Sequence, residues 1–423
     1  VKKETLAGIT TFVSMAYILF VNPSVLGASG MDKGAVFTAT ALSAILGCLL
    51  MAFLANYPIA IAPGLGDNAF FTYSVVLAMG IKWQTALAGV VVASIIFTIL
   101  TFFKIREIVI NAIPHNLKLA MAAGIGMFIA FIGLQGGGLV VASKSSLVQL
   151  GSLTVPTTWL TIFGLFVTAL LMARKVPGSI FIGIVATAIL GLVTGLIKAP
   201  SQIVSSIPSM KPTFAVGIKH LGDVNTPQMW AVVLIFLLVA FFDTAGTLIG
   251  LAQQAGLMKN DKMPRIGQAL MADSVSMLAG SVMGTTPTAA YVESSAGIAV
   301  GGRTGFTALV VAVLFGFGMF FSPLLSVVTT QVTAPALIIV GALMAQSLKE
   351  IEWDKFEIAL PAFLTVIAMP LTYNISYGFA FAFLIYPITM IAAGRKKELN
   401  PVVIALFFVF IVMLYVLNVL PSK

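Results

Sequence analysis

Charge is scarce in this 423-residue chain: Asp, Glu, Lys and Arg together make up 9% of it. A soluble domain carries about 25%, so a soluble enzyme, a nucleic-acid-binding protein and a disordered protein are all excluded. Cysteine occurs once, at Cys48, which excludes a disulfide framework and a cysteine-built metal site. Histidine occurs twice, at His115 and His220, so a histidine-rich metal site is not expected; no cofactor is expected either. The sequence has no G-x-x-x-x-G-K-[S/T] phosphate loop and no H-E-x-x-H zinc motif. It has no row of arginines at every third position, as a voltage sensor needs, and no TVGYG potassium filter. Apolar residues, by contrast, make up 59% of the chain, and the mean hydropathy is +1.08. The net charge of +9 then reads as basic loops at one membrane face, not as a nucleic-acid partner.

A helical span needs about 20 apolar residues. Candidate spans fall near 5–27, 35–55, 60–80, 83–103, 117–136, 155–173 and 177–198. After a polar stretch they resume near 229–252, 267–285, 287–301, 304–328, 333–348, 357–372, 375–394 and 400–420. The first run is long enough to span, so it reads as a membrane segment and not as a cleavable signal. With Val1 at its start, a few residues are expected to precede the chain. Placing Lys2 and Lys3 in the cytoplasm puts sixteen basic residues in inner loops and six in outer loops. The inner set includes Arg106, Lys262 and the run Arg395–Lys397. This is a positive-inside bias, and it supports the count through fourteen spans. Whether 400–420 crosses again stays open.

The count divides the chain into a seven-span unit at 1–198, an extracellular connecting loop at 199–228, a second seven-span unit at 229–394 and a C-terminal apolar segment at 395–423. An odd number of spans per unit reverses the second one in the membrane, which is the parity of an inverted-repeat transporter. The expected fold is thus an all-α integral membrane protein of about fourteen transmembrane segments in a seven-plus-seven inverted repeat.

Two spans are unlike ordinary helices. The third reads Tyr57-Pro58-Ile59-Ala60-Ile61-Ala62-Pro63-Gly64-Leu65-Gly66-Asp67-Asn68-Ala69-Phe70-Phe71. The tenth reads Gly284-Thr285-Thr286-Pro287-Thr288-Ala289-Ala290-Tyr291-Val292-Glu293-Ser294-Ser295-Ala296-Gly297. In each, a Pro- and Gly-rich half precedes a helix-competent half. Proline removes an N–H and clashes with the preceding turn. Irregular backbone at membrane depth survives only where protein or a water-filled cavity satisfies it. Interrupted segments in matching places of two halves therefore mark a transporter's binding site.

Four acids fall inside apolar spans: Asp67, Asp243, Asp273 and Glu293. An acid in the bilayer faces a cavity or a partner. Thr247 shares a helical face with Asp243, four residues on. Glu293 opens the helical half of the tenth span, where its carboxyl can accept ligand N–H groups. Either Asp243 or Glu293 can serve as a proton-coupling group. Asp273 is expected to bond backbone at the broken segments. Asp67 is either a helix cap or a ligand contact. Phe70 and Phe71 sit at the break, where a ring can stack on a planar ligand. His115 is expected to start a helix at the inner interface, His220 to be solvated and Cys48 to fill the core.

Ala62-Pro63-Gly64-Leu65-Gly66-Asp67-Asn68-Ala69-Phe70-Phe71 resembles the third-span motif of AzgA-like purine permeases, a branch of the nucleobase–ascorbate (NCS2) transporter family. Tyr291-Val292-Glu293-Ser294-Ser295-Ala296-Gly297-Ile298, followed by Gly301-Gly302-Arg303-Thr304-Gly305, resembles the family signature around the tenth span. Asn111-Ala112-Ile113-Pro114-His115-Asn116-Leu117 and Gly341-Ala342-Leu343-Met344-Ala345-Gln346-Ser347 are also similar to this branch. The resemblance implies short strands in the third and tenth spans. It implies a core domain from spans 1–4 and 8–11 and a gate domain from spans 5–7 and 12–14. It further implies a nucleobase (adenine, guanine or hypoxanthine) bound by Asn68, Ala69, Phe70, Asp243, Tyr291, Val292 and Glu293, and transport by proton symport; Asp67, Thr247 and Asp273 are expected in support from the reading of the residues themselves. Many family members carry a histidine where this chain has Thr247, and most relatives in the purine branch carry an apolar residue where it has Asp67.

The combined expectation is a multi-pass permease of the cell membrane, N-terminus in the cytoplasm, importing purines by alternating access in an elevator-like movement. The apolar outer face of the gate domain offers a homodimer interface. The competing readings are the same fold carrying an inorganic anion, which two acids would repel, a passive channel, and a membrane enzyme, for which no nucleophile–base pair or metal cluster is visible.

Overall fold

The computed structural model describes residues 1–259 and 263–419. Lys262 and the last four residues of the C-terminal segment lie outside that range. The chain is mainly helical, and its elements follow the apolar runs. The first run folds as α1 (Lys2–Met15) and α2 (Ile18–Gly27), with a break at Ala16 and Tyr17. α3 (Lys33–Leu50) starts where the Asp32 carboxylate accepts the Ala35 N–H, as an N-cap does. The third segment is a strand, β1 (Ile61–Pro63), followed by α4 (Leu65–Ala69), which continues in wider turns to Ala78. Next come α5 (Trp83–Phe102), α6 (Ile105–Ala112), α7 (His115–Gly136), an exposed hairpin of β2 (Val140–Ser143) and β3 (Leu147–Leu150), α8 (Pro156–Ala173) and α9 (Ser179–Val193). The connecting stretch carries one short turn, α10 (Val216–Lys219).

The second half begins with α11 (Pro227–Gln254) and α12 (Ile266–Met283). Its broken segment is β4 (Thr288–Ala290) followed by α13 (Ser294–Ala299). Then follow α14 (Gly305–Gly318), α15 (Thr330–Met344), α16 (Phe356–Thr372), α17 (Ile375–Ala392) and α18 (Pro401–Asn418). Among the described residues, ten helical stretches are long and apolar enough to cross a membrane, and α9 and α16 are shorter apolar helices. α18 is among the ten and stacks Phe410 on Phe383 of α17 at 5.2 Å.

β1 and β4 pair antiparallel, with Ile61 opposite Ala290, Ala62 opposite Ala289 and Pro63 opposite Thr288. Two flanking bonds extend the pairing: the Gly64 N–H donates to Pro287 O and the Tyr291 N–H to Ala60 O. The two broken segments thus satisfy each other's backbone inside the molecule, as irregular chain at that depth requires. A polar knot braces them. The Asn22 amide donates to Thr40 and Thr285 hydroxyls, and the Asn68 amide donates to Asn22 Oδ1.

Helices pack in two groups. α7 packs on α15 and α16, α8 on α9 and α15, and α16 on α17. The other group joins α1, α3, α5, α11, α12 and α14 around the β1–β4 pair. Close crossings rely on glycine. A Cβ on Gly341 of α15 would lie 2.4 Å from Gly126 O of α7, so no larger residue fits at this contact.

Three details depart from expectation. The β2–β3 hairpin has no counterpart in the span reading. Arg106, counted as a loop cation, is fully buried, its Nη2 3.3 Å from Asp273 Oδ2. His220 is not merely solvated: its Nδ1 lies 2.8 Å from Asp223 Oδ2, and this hydrogen bond holds the Asp223 carboxyl below its usual range.

Candidate functional site

The two broken segments meet at one wall of a cavity of about 840 Å³. Gly64, Leu65 and Gly66 supply the third-segment side, and Ala289 through Glu293 the tenth-segment side. α11 adds Val239, Phe242, Asp243 and Thr247, α7 adds Ala122 and Ile125, and α15 adds Val340 and Leu343. The cavity therefore lies between the two helix groups. Its rim includes Lys175–Ser179 and Ala299–Val300. The Glu4 carboxylate accepts the neighbouring Arg303 N–H, so this opening is on the side where the chain starts. At the other end aromatic rings fill the gap. Phe242 stacks on Phe379 at 5.8 Å, and Tyr373 meets Tyr73, Phe128 and Phe131 edge-on within 6.2 Å.

Asp243 and Glu293 are half-buried and both face the cavity. Glu293 immediately precedes α13, as the sequence predicts, and the Tyr17 hydroxyl donates to its Oε1. Tyr17 reaches it from the break between α1 and α2. The Tyr291 hydroxyl donates to Pro63 O and so locks the two broken segments together. Val292 is 56% exposed and opens onto the cavity. Thr247 also lines it, its hydroxyl donating to Asp243 O one turn back. A methyl group on Gly64 would sit 2.9 Å from Asp243 Oδ2, so this glycine lets the carboxyl approach the strand. The wall is mostly apolar with a few convergent polar groups, the usual make-up of a small-molecule site. Among the described residues, no group of three His, Cys, Asp or Glu is placed to hold a metal ion.

The remaining predicted residues lie off this wall. Asn68, Ala69 and Phe70 are buried one turn beyond Leu65. Phe70 packs edge-on against Phe236 at 4.9 Å, away from the cavity, and Phe242 is the ring that lines it. Asp67 is not a helix cap: Gly64 holds that position, and no side chain caps α4. It is not on the cavity wall either. The carboxyl of Asp273, expected to bond backbone at the broken segments, instead accepts from two side chains, Arg106 and the Thr288 hydroxyl of β4. Cys48 is buried, its sulfur 3.4 Å from the Ile61 amide. Sequence reasoning missed Tyr17 and Phe242. Tyr17 is a lone phenol in an apolar run, and Phe242 carries no signal beyond its place next to Asp243.

Comparison with known proteins agrees with this architecture. The profile described as "Permease family" (Xan_ur_permease) matches residues 2–381. The chain is 55% identical over 419 residues to the guanine/hypoxanthine permease PbuG of Bacillus subtilis, covering 97% of this chain and 95% of the relative. It is 42% identical over 413 residues to the adenine permease AdeQ of Escherichia coli, covering 97% and 92%. The transmembrane domain of the cyanobacterial bicarbonate transporter BicA superposes with a TM-score of 0.64 at 16% identity, covering 93% of this chain and 97% of that one. At that identity the likeness concerns the fold alone.

Proposed function

The chain belongs to the permease family Xan_ur_permease, a multi-pass membrane transporter and not an enzyme, and from that premise we propose that it imports purine nucleobases by proton symport. One observation carries the site assignment: Asp243 and Glu293 face a single cavity at the junction of the two broken segments. A purine offers N–H donors and ring-nitrogen acceptors on a flat apolar frame. Carboxyl oxygens at Asp243 and Glu293 accept its N–H groups, and the Phe242 ring flanks its face. Tyr291 and Val292 shape the wall directly, and Asn68, Ala69 and Phe70 shape it from behind. Thr247 and Asp273 hold Asp243 and β4 in position. Two acids in the cavity speak against an anion as cargo.

In this reading the transporter sits in the cell membrane, N-terminus inside, with fourteen spans in a seven-plus-seven inverted repeat. The two helix groups support a division into core and gate domains, the core carrying the site past the gate like an elevator. The apolar outer face of the gate is the proposed homodimer contact. The test is uptake of radiolabelled hypoxanthine, guanine and adenine into cells lacking their own purine permeases. Saturable accumulation that collapses with a protonophore is expected. Linear, non-saturating flux would indicate a pore, and no uptake by a well-expressed chain would remove the purine reading.

A further inference from the structure

Asp67 is the one intramembrane acid that neither the cavity nor the fold uses. It is fully buried, and neither carboxyl oxygen has a hydrogen-bond partner. The other three acids are each engaged: Asp273 by Arg106 and Thr288, Glu293 by Tyr17, and Asp243 by the open cavity. Such a carboxylate, left charged and unpaired in a buried place, is strongly disfavoured, and a neutral carboxylic acid is what the surroundings accept.

Its nearest charged neighbour is a second acid. A methyl group on Gly64 would lie 2.9 Å from Asp243 Oδ2 and 3.3 Å from Asp67 Oδ2. The two oxygens are therefore no more than 6.2 Å apart, and Gly64 puts no side chain between them. The elements packed on α4 are α2, α7, α11 and its own continuation to Ala78. From α11 comes Asp243. α2 carries no ionisable side chain, and Tyr17 just before it is committed to Glu293. His115 and Lys118 of α7 lie in its first turns, well before Ile125, which faces Gly66. The continuation offers Tyr73, whose ring packs on Tyr373. On α12, Asp273 is already neutralised by Arg106. Among the described residues, no cation reaches Asp67 and no three metal-ligating side chains converge.

We propose that Asp67 is a proton-binding site of the transport cycle, set beside Asp243 across the gap at Gly64. Two carboxyls this close do not both ionise readily. Asp67 gains its O–H proton from the outer solution and loses it to the inner one, so the charge of the pair changes by one in each half-cycle. While Asp67 holds the proton behind the wall, Asp243 and Glu293 stay available to the ligand. This inference rests on the proton-symport reading given above.

The test uses the purified full chain in proteoliposomes with the membrane potential clamped at zero. Two assays are run on wild type, Asp67→Asn and Asp67→Leu: purine counterflow at equal pH, and accumulation driven by an acid exterior. Across a gradient of about one pH unit, one coupled proton sustains an accumulation of about tenfold. Wild type is expected to approach that ratio. Both variants are expected to keep counterflow and to stop at equilibration. Variants that accumulate like wild type overturn the inference, and so does loss of counterflow in both, which would make Asp67 structural. A wild type that exchanges purine yet ignores the pH gradient, or follows a sodium gradient instead, overturns the symport reading itself and is told apart by that control.

Discussion

Glu293→Gln is expected to lower purine uptake by roughly ten- to a hundredfold at unchanged surface expression, the factor that follows from losing a charge-assisted hydrogen bond of about 1.5–3 kcal/mol. Glu293 immediately precedes α13 and already accepts from Tyr17 through Oε1. The carboxyl's remaining acceptor capacity faces the cavity. An amide that keeps its oxygen on the Tyr17 hydroxyl turns its NH₂ group toward the ligand, so donor meets donor. The change is nearly isosteric, so the strand pairing of β1 and β4 and the Tyr291–Pro63 bond are expected to survive. Initial-rate uptake together with a surface-labelling control checks this. A variant with wild-type KM and maximal rate would show that Glu293 does not touch the ligand.

Arg106→Met is expected to lower the stability of the purified protein by about 3–5 kcal/mol, the usual cost of leaving one partner of a buried ion pair uncompensated. Arg106 and Asp273 are both fully buried, 3.3 Å apart, and the guanidinium lies 3.9 Å over the Phe97 ring. Asp273 in turn accepts from Thr288 of β4, so the damage reaches the broken segment that forms the cavity wall. The expected readouts are a lower melting temperature and a loss of uptake. Adding Asp273→Asn removes the orphaned charge while keeping an acceptor for Thr288, so the double variant is expected to recover most of the stability. A double variant as unstable as Arg106→Met alone would show that packing on Phe97, not the ion pair, is what matters.

The site was legible where residue type is unusual for its surroundings. Four acids in apolar runs and two Pro/Gly-rich interruptions are conspicuous because the bilayer penalises both, and Asp243, Glu293 and the β1–β4 junction follow from them. The strands themselves are three residues each, too short to show a period-two pattern, and were anticipated only through the family resemblance. Placement was harder than identity. Asn68, Ala69 and Phe70 carry the motif, yet the helical half already begins at Leu65, so the wall falls one turn earlier. Tyr17 was invisible because its partner, Glu293, lies 276 residues away, and a single phenol has no period. Arg106 was misread for the same reason. Beside Lys104 it resembles a loop cation, and only Asp273, 167 residues on, explains its burial.

The central claim is that the purine occupies the cavity between the two broken segments. Val292 opens onto that cavity, and the one native cysteine, Cys48, is buried, so a Val292→Cys variant gives a single reactive probe over a low background. Its labelling by a membrane-impermeant maleimide, measured on purified transport-active protein, is the most direct test. The account predicts that hypoxanthine or guanine slows the reaction in a saturable way, with half-protection near the concentration that half-saturates uptake. Labelling at an unchanged rate under saturating transported purine would contradict it.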